Sequence, residues 1–147
     1  MLTIRAMVRV GPWTVRAVER DENWTSCERC TESIKEIWVC EVDPSYDELL
    51  SELGGQLVWR IGSTCGPTLM KVSKDYWKRE TKSILKRLRL LKRIEKLIPA
   101  AHSAGQTLPA LIEERAQLVA NDTLDYRLTG HLGLVLTRFE RMLGLRR

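Results

Sequence analysis

Histidine and phenylalanine are almost missing from this chain, with two of the first and one of the second in 147 residues. The histidines, His102 and His131, stand beside no acidic or cysteine motif, which leaves little for acid–base or hydrolytic catalysis. No H-x-E…C-x-x-C pattern, no H-E-x-x-H, no phosphate-binding glycine loop and no G-x-S-x-G occurs. These gaps argue against an enzyme. Long apolar runs are missing too: the longest is four residues, too short for a membrane span. The opening "MLTIRAMVRV" alternates apolar with polar residues, unlike the continuous apolar core of a signal peptide. A reducing, cytoplasmic setting is the expectation, and there cysteines are better read as metal thiolates than as disulfides.

What is present is globular in balance, at 44% hydrophobic and 29% charged residues. The formal charge of +5 hides a division. Residues 1–20 carry +3, whereas residues 21–56 carry −8, ten acidic against two basic. Residues 74–98 carry +7. A basic face beside an acidic one fits this better than a uniformly cationic surface.

The order of patterns predicts an α+β chain. Residues 2–10 place Leu2, Ile4, Ala6, Val8 and Val10 on one parity, the period of a strand. Gly11-Pro12 turns the chain, and "WTVRAV" resumes the alternation with Trp13, Val15 and Ala17 inward. The outer face of this hairpin would display Arg5, Arg9 and Arg16. "IKEIWVCEV" reads as a third strand and "QLVWRIG" as a fourth. Between them, "DPSYDELLSEL" is a short acidic helix with Asp43 as N-cap, Pro44 at the first helical position and Gly54-Gly55 as stop. "STCGPTLM" begins another helix. From residue 73 the pattern is helical, over about 74–98, 109–121 and 124–145, the first ending before Pro99. The division expected is a β-rich zinc-binding module over 1–72, followed by a basic, all-α three-helix domain over 73–147.

All four cysteines precede residue 66, in the spacing C-x2-C-x9-C-x24-C: Cys27, Cys30, Cys40 and Cys65. A C-x2-C turn folds into a knuckle with both sulfurs on one side, and a structural zinc ion takes four such ligands in a tetrahedron. Cys65, after Gly62-Ser63-Thr64 and before Gly66-Pro67, stands at a helix start, where a thiolate is favoured. Cys40 either closes the site or is a small core residue, and a histidine is a remote second choice. A redox pair is disfavoured, because the strand–CxxC–helix context with a preceding aromatic residue is absent.

"CERCTESIKEIWVCEVD … WRIGSTCGPTL" resembles a pattern of small phage and plasmid proteins: C-x2-C, a strand, a hairpin excursion, then Gly-Ser-x-Cys opening a helix. Such modules look like zinc ribbons or treble clefs. The resemblance covers residues 24–70 and implies structural Zn2+ on Cys27, Cys30 and Cys65. The chain departs from it at Thr31, where glycine is common, and in leaving the fourth ligand to Cys40.

On "KDYWKRETKSILKRLRLLKRIEKLI", the residues Trp77, Ile84, Leu88, Leu91, Ile94 and Ile98 share one arc of a helix. Opposite them lie Lys78, Lys82, Lys86, Arg89, Arg93 and Lys96, a stripe spanning roughly 27 Å at 1.5 Å per residue. A solvated face usually mixes signs, because like charges three or four apart repel. A single-sign stripe therefore points to a phosphate backbone, RNA or DNA, gripped without base reading and extended by Arg5, Arg9 and Arg16. An acidic protein surface is the other partner it would suit. Four of the five tryptophans, Trp13, Trp38, Trp59 and Trp77, read as core, and Trp24 as exposed.

The function expected is a non-catalytic, zinc-stabilised nucleic-acid-binding protein, a small subunit of a nucleoprotein complex with other protein subunits. By analogy with the mobile-element flavour of the motif, that complex is a CRISPR-type RNA-guided effector or a phage or plasmid replication assembly. The alternative is a phage- or plasmid-encoded inhibitor or adaptor that binds a host protein complex.

Overall fold

The structure is a computed structural model. It describes residues 2–105 and 126–145, with 109, 113, 115 and 116 between them, and only the backbone of residues 126–131. The element order is β1 (Leu2–Val10), β2 (Trp13–Ser26), β3 (Ser33–Val42), α1 (Asp47–Glu52), β4 (Val58–Ile61), α2 (Cys65–Met70), α3 (Lys74–Ser103) and α4 (Tyr126–Met142). The four strands form one antiparallel sheet in sequence order, so the α+β expectation holds. The helix expected over 109–121 lies outside the described residues apart from four, whose backbone is helical.

Gly11, at φ 59°, makes the β1–β2 turn, with Val10 paired to Trp13. Ile4, Ala6 and Val10 of β1 are buried, as their alternation requires. On β2 the alternation breaks. Val15 pairs with Cys40 and Ala17 with Val39, so Arg16 is an extra residue in the ladder. A bulge of one residue exchanges the two faces beyond it. The inward residue after Val15 is therefore Val18, fully buried, and not Ala17.

Two helix limits also differ from expectation. Asp43 does not cap α1. Its carboxylate instead accepts from the Ser45 amide at 2.9 Å and the Ser45 hydroxyl at 2.8 Å, a local turn that holds the helix back to Asp47. Helix α3 runs past Pro99 to Ser103. Proline removes one backbone donor, but Leu97 and Ala101 flank it on a buried face and carry the helix on. It stops at Gly105, whose φ of 76° suits a residue without Cβ.

Two hydrophobic cores meet on α3. The larger joins Ile4, Trp13, Val15, Val18, Trp38 and Ile61 of the sheet to Trp77, Ile84, Leu88 and Leu91 of α3. The smaller joins Leu90, Ile94 and Leu97 of α3 to Leu132 and Leu136 of α4. At 100° per residue, the two sets lie about a third of a turn apart around the helix. The single apolar arc read from sequence is thus two faces. The first core crosses residue 73, so it belongs to β-module and helix together.

Candidate metal centre and basic helix

The C-x2-C motif forms the connection between β2 and β3. The Cys27 amide donates to the Glu32 carbonyl at 2.8 Å, and the Thr31 amide to the Cys27 carbonyl at 2.8 Å. Thr31 takes the left-handed conformation, φ 66°, at the position where glycine is common in the pattern this stretch resembles. Its hydroxyl donates to the Cys30 carbonyl at 2.6 Å.

A strap ties this knuckle to β4. The Glu28 amide donates to the Arg60 carbonyl at 3.0 Å, and the Arg60 amide to the Glu28 carboxylate at 2.7 Å. Gln56 adds a bond to the same carboxylate at 3.1 Å. Arg60 in turn is clamped by Glu19 on β2 through bonds of 2.9 and 2.6 Å. Residues two to five beyond Arg60 then run beside the knuckle, and the Gly62 amide donates to Cys27 Sγ at 3.4 Å. The sequence reading missed Glu28, Gln56 and Arg60, whose partners lie 28 to 41 residues away.

The result is a cluster: the sulfurs of Cys27, Cys30 and Cys65 lie within 4.8 Å of one another. Three thiolates at such distances are a donor set for one soft or borderline ion. Burial works against ionising Cys27, but the amides of Cys30, Gly62 and Arg29 outweigh it and bring its pKa down to about 7. Burial pushes Cys65 up to about 11, partly offset by Arg29, whose guanidinium lies 3.6 Å from its sulfur.

Cys40 is not in the cluster. It sits on β3 between Val15 of β2 and Trp59 of β4, fully buried among apolar side chains. Burial holds its thiol at about 12. The expected fourth ligand is therefore a core residue, because the strand register points it away from the knuckle. With it goes the expectation of a closed four-cysteine site. His102 is exposed in the last turn of α3, and the side chain of His131 lies outside the described residues.

Helix α2 brings Cys65 to the cluster by a close approach. A Cβ on Gly66 would lie 2.5 Å from the Trp77 ring of α3, so only glycine lets the two helices meet there. Trp77 packs edge-on to Trp38 with ring centroids 5.2 Å apart, which anchors this contact to the sheet.

The basic stripe is divided in fact. Lys78, Lys82, Arg89 and Lys96 are exposed and make no ion pair with described residues. Lys86 is half-buried and already engaged. Arg93 is turned inward: its Nε donates to Glu140 of α4 at 3.0 Å and its Nη2 to the Thr137 hydroxyl at 3.1 Å. On the hairpin, Arg9 pairs with Asp43 at 3.4 Å and Arg16 with Glu41. The Arg5 side chain is exposed, while its carbonyl accepts from buried Arg87 at 2.8 Å. Trp13, Trp38 and Trp77 are buried, Trp59 half-buried, and Trp24 is 65% exposed with Lys35 4.7 Å above its ring.

No protein-family model, no curated protein and no solved structure matches the chain. No described helix is long and apolar enough to cross a membrane.

Proposed function

We propose that this chain is a zinc-stabilised, non-catalytic nucleic-acid-binding subunit. In this reading the three-thiolate centre holds the knuckle and α2, and the exposed face of α3 lies along a phosphate backbone. The observation that carries it is the set Lys78, Lys82, Arg89 and Lys96. These four cations lie within a narrow sector of one helix, over roughly 27 Å, with no acidic partner among the described residues. Holding like charges in line is unfavourable in isolation and favourable against a polyanion. Arg9, Arg16 and Arg93 contribute less than the sequence suggested, since each already faces a carboxylate. Membership of a larger nucleoprotein assembly, of a CRISPR or replication type, rests on the resemblance of the knuckle alone.

The test is binding of single- and double-stranded RNA and DNA as a function of salt. Four phosphate contacts give a slope of log affinity against log salt of about −3 to −4. Lys78→Glu, Lys82→Glu, Arg89→Glu and Lys96→Glu together should abolish binding while leaving the melting temperature nearly unchanged. Wild-type protein that binds no nucleic acid, and is instead retained by a protein partner in nuclease-treated lysate, would overturn this and favour the inhibitor or adaptor.

A further inference from the structure

Three donors do not complete a tetrahedron. Among the described residues, no other His, Cys, Asp or Glu side chain brings a ligand atom into the group. The Glu28 carboxylate, the acidic group inside the knuckle, is outside the cluster and turns its Oε1 to the Arg60 amide and Gln56. The cluster is closed on the side of Cys27, which is 1% exposed and receives the Gly62 amide. It is open on the side of Cys30, which is exposed. Cys30 and Cys65 both line an open groove of about 510 Å³, whose other walls include Trp24, Glu32, Lys35 and Glu36.

We propose that the metal's fourth position faces this groove and takes a small thiol from outside the chain in place of water. The proposal rests on the metal reading above. Charge and softness select the ligand class. Three thiolates and a divalent ion sum to −1, and the Arg29 guanidinium beside Cys65 brings the centre to neutrality. One further thiolate then leaves a single net negative charge, beside a groove wall that is itself balanced, with Arg20 and Lys35 against Glu32 and Glu36. A borderline-soft ion already held by sulfur favours sulfur at the remaining position. The exchange balances without redox chemistry: the thiol R–SH binds as R–S⁻, water leaves, and one proton is released to solvent.

Cobalt(II) substitution tests this, with the full-length protein kept reduced by a phosphine so that no thiol is present. The expected spectrum is that of three thiolates, with sulfur-to-cobalt charge-transfer absorbance rising by about a third when millimolar 2-mercaptoethanol is added. Cys40→Ala should bind cobalt and respond in the same way. A four-thiolate spectrum before thiol is added, lost in Cys40→Ala, would overturn the open position. So would bound cobalt whose spectrum ignores the thiol. Wild-type protein that takes up neither cobalt nor zinc would instead sink the metal centre, and this proposal with it.

Discussion

The two cores on α3 are built on different principles. The first closes a 4-stranded sheet against half a helix, with three tryptophans, a knuckle and a strap of hydrogen bonds around it. The second is a small set of leucines and one isoleucine between α3 and α4, with Arg93 and Glu140 at its edge. A short β-module buries little apolar area per residue, a shortfall that an ion held by the three cysteines would make up. A helix pair needs no such aid, because its backbone bonds are internal to each helix. Damage to the metal and damage to the leucines should therefore give separable results.

The largest effect is expected at the ligands. Cys27→Ser or Cys65→Ser should remove metal and unfold the sheet, since structural zinc contributes about 10–16 kcal/mol of apparent binding energy in small domains. Near-ultraviolet circular dichroism of the tryptophans would report it, with metal content measured in parallel. Uptake also depends on pH in a fixed sense. Cys65, held at about 11, is protonated at neutral pH and must lose that proton to bind. Affinity should rise with pH by about tenfold per unit from this group alone. A flat profile would remove Cys65 from the ligand set.

Next comes the second core. Leu97→Ala or Leu136→Ala should cost about 2–5 kcal/mol, the range for truncating a fully buried leucine. Hydrogen exchange should increase over α4 and the C-terminal half of α3, with metal content and the sheet's protection retained. Metal loss in these variants would mean that the two cores are one cooperative unit.

At the joint between the regions, Gly66→Ala forces a methyl group to within 2.5 Å of the Trp77 ring. Overpacking of this kind costs about 1–3 kcal/mol. Here it should also weaken metal binding, because α2 carries Cys65 and cannot retreat without moving its sulfur. Stability lost without a change in metal affinity would show that α2 shifts independently of the cluster.

The parts legible in the sequence were those decided by neighbours along the chain. The CxxC knuckle, the strand parities of β1 and the Gly-Ser-Thr-Cys helix start each depend on a few adjacent residues, and each is where periodicity put it. Cys40 shares its β3 parity with buried Trp38 and Val42, so the strand itself assigns it to the core; the count of four cysteines, which suits a closed tetrahedron, is what points the other way. Pro99 was read as a stop because a proline's local penalty is visible, whereas the burial of Leu97 and Ala101 that overrides it is not. The strap from Glu28 to Arg60 joins residues 32 apart, and neither residue type is distinctive at its position.

The basic stripe shows the same limit and supplies the smallest, most diagnostic contrast. Arg89 and Arg93 are one helical turn apart and indistinguishable by spacing, yet only Arg93 meets Glu140 of α4. Arg93→Ala removes charge-assisted hydrogen bonds to a Glu140 carboxylate that is 15% exposed, and should cost about 1–3 kcal/mol. It should change the salt dependence of nucleic-acid binding little. Arg89→Ala should do the reverse, leaving the melting temperature within error while reducing the salt slope by about 0.9. Equal slopes for the two variants would mean that the helix presents its charge as a diffuse cylinder. Opposite behaviour would show that α4 chooses which cations of α3 remain available to a phosphate backbone.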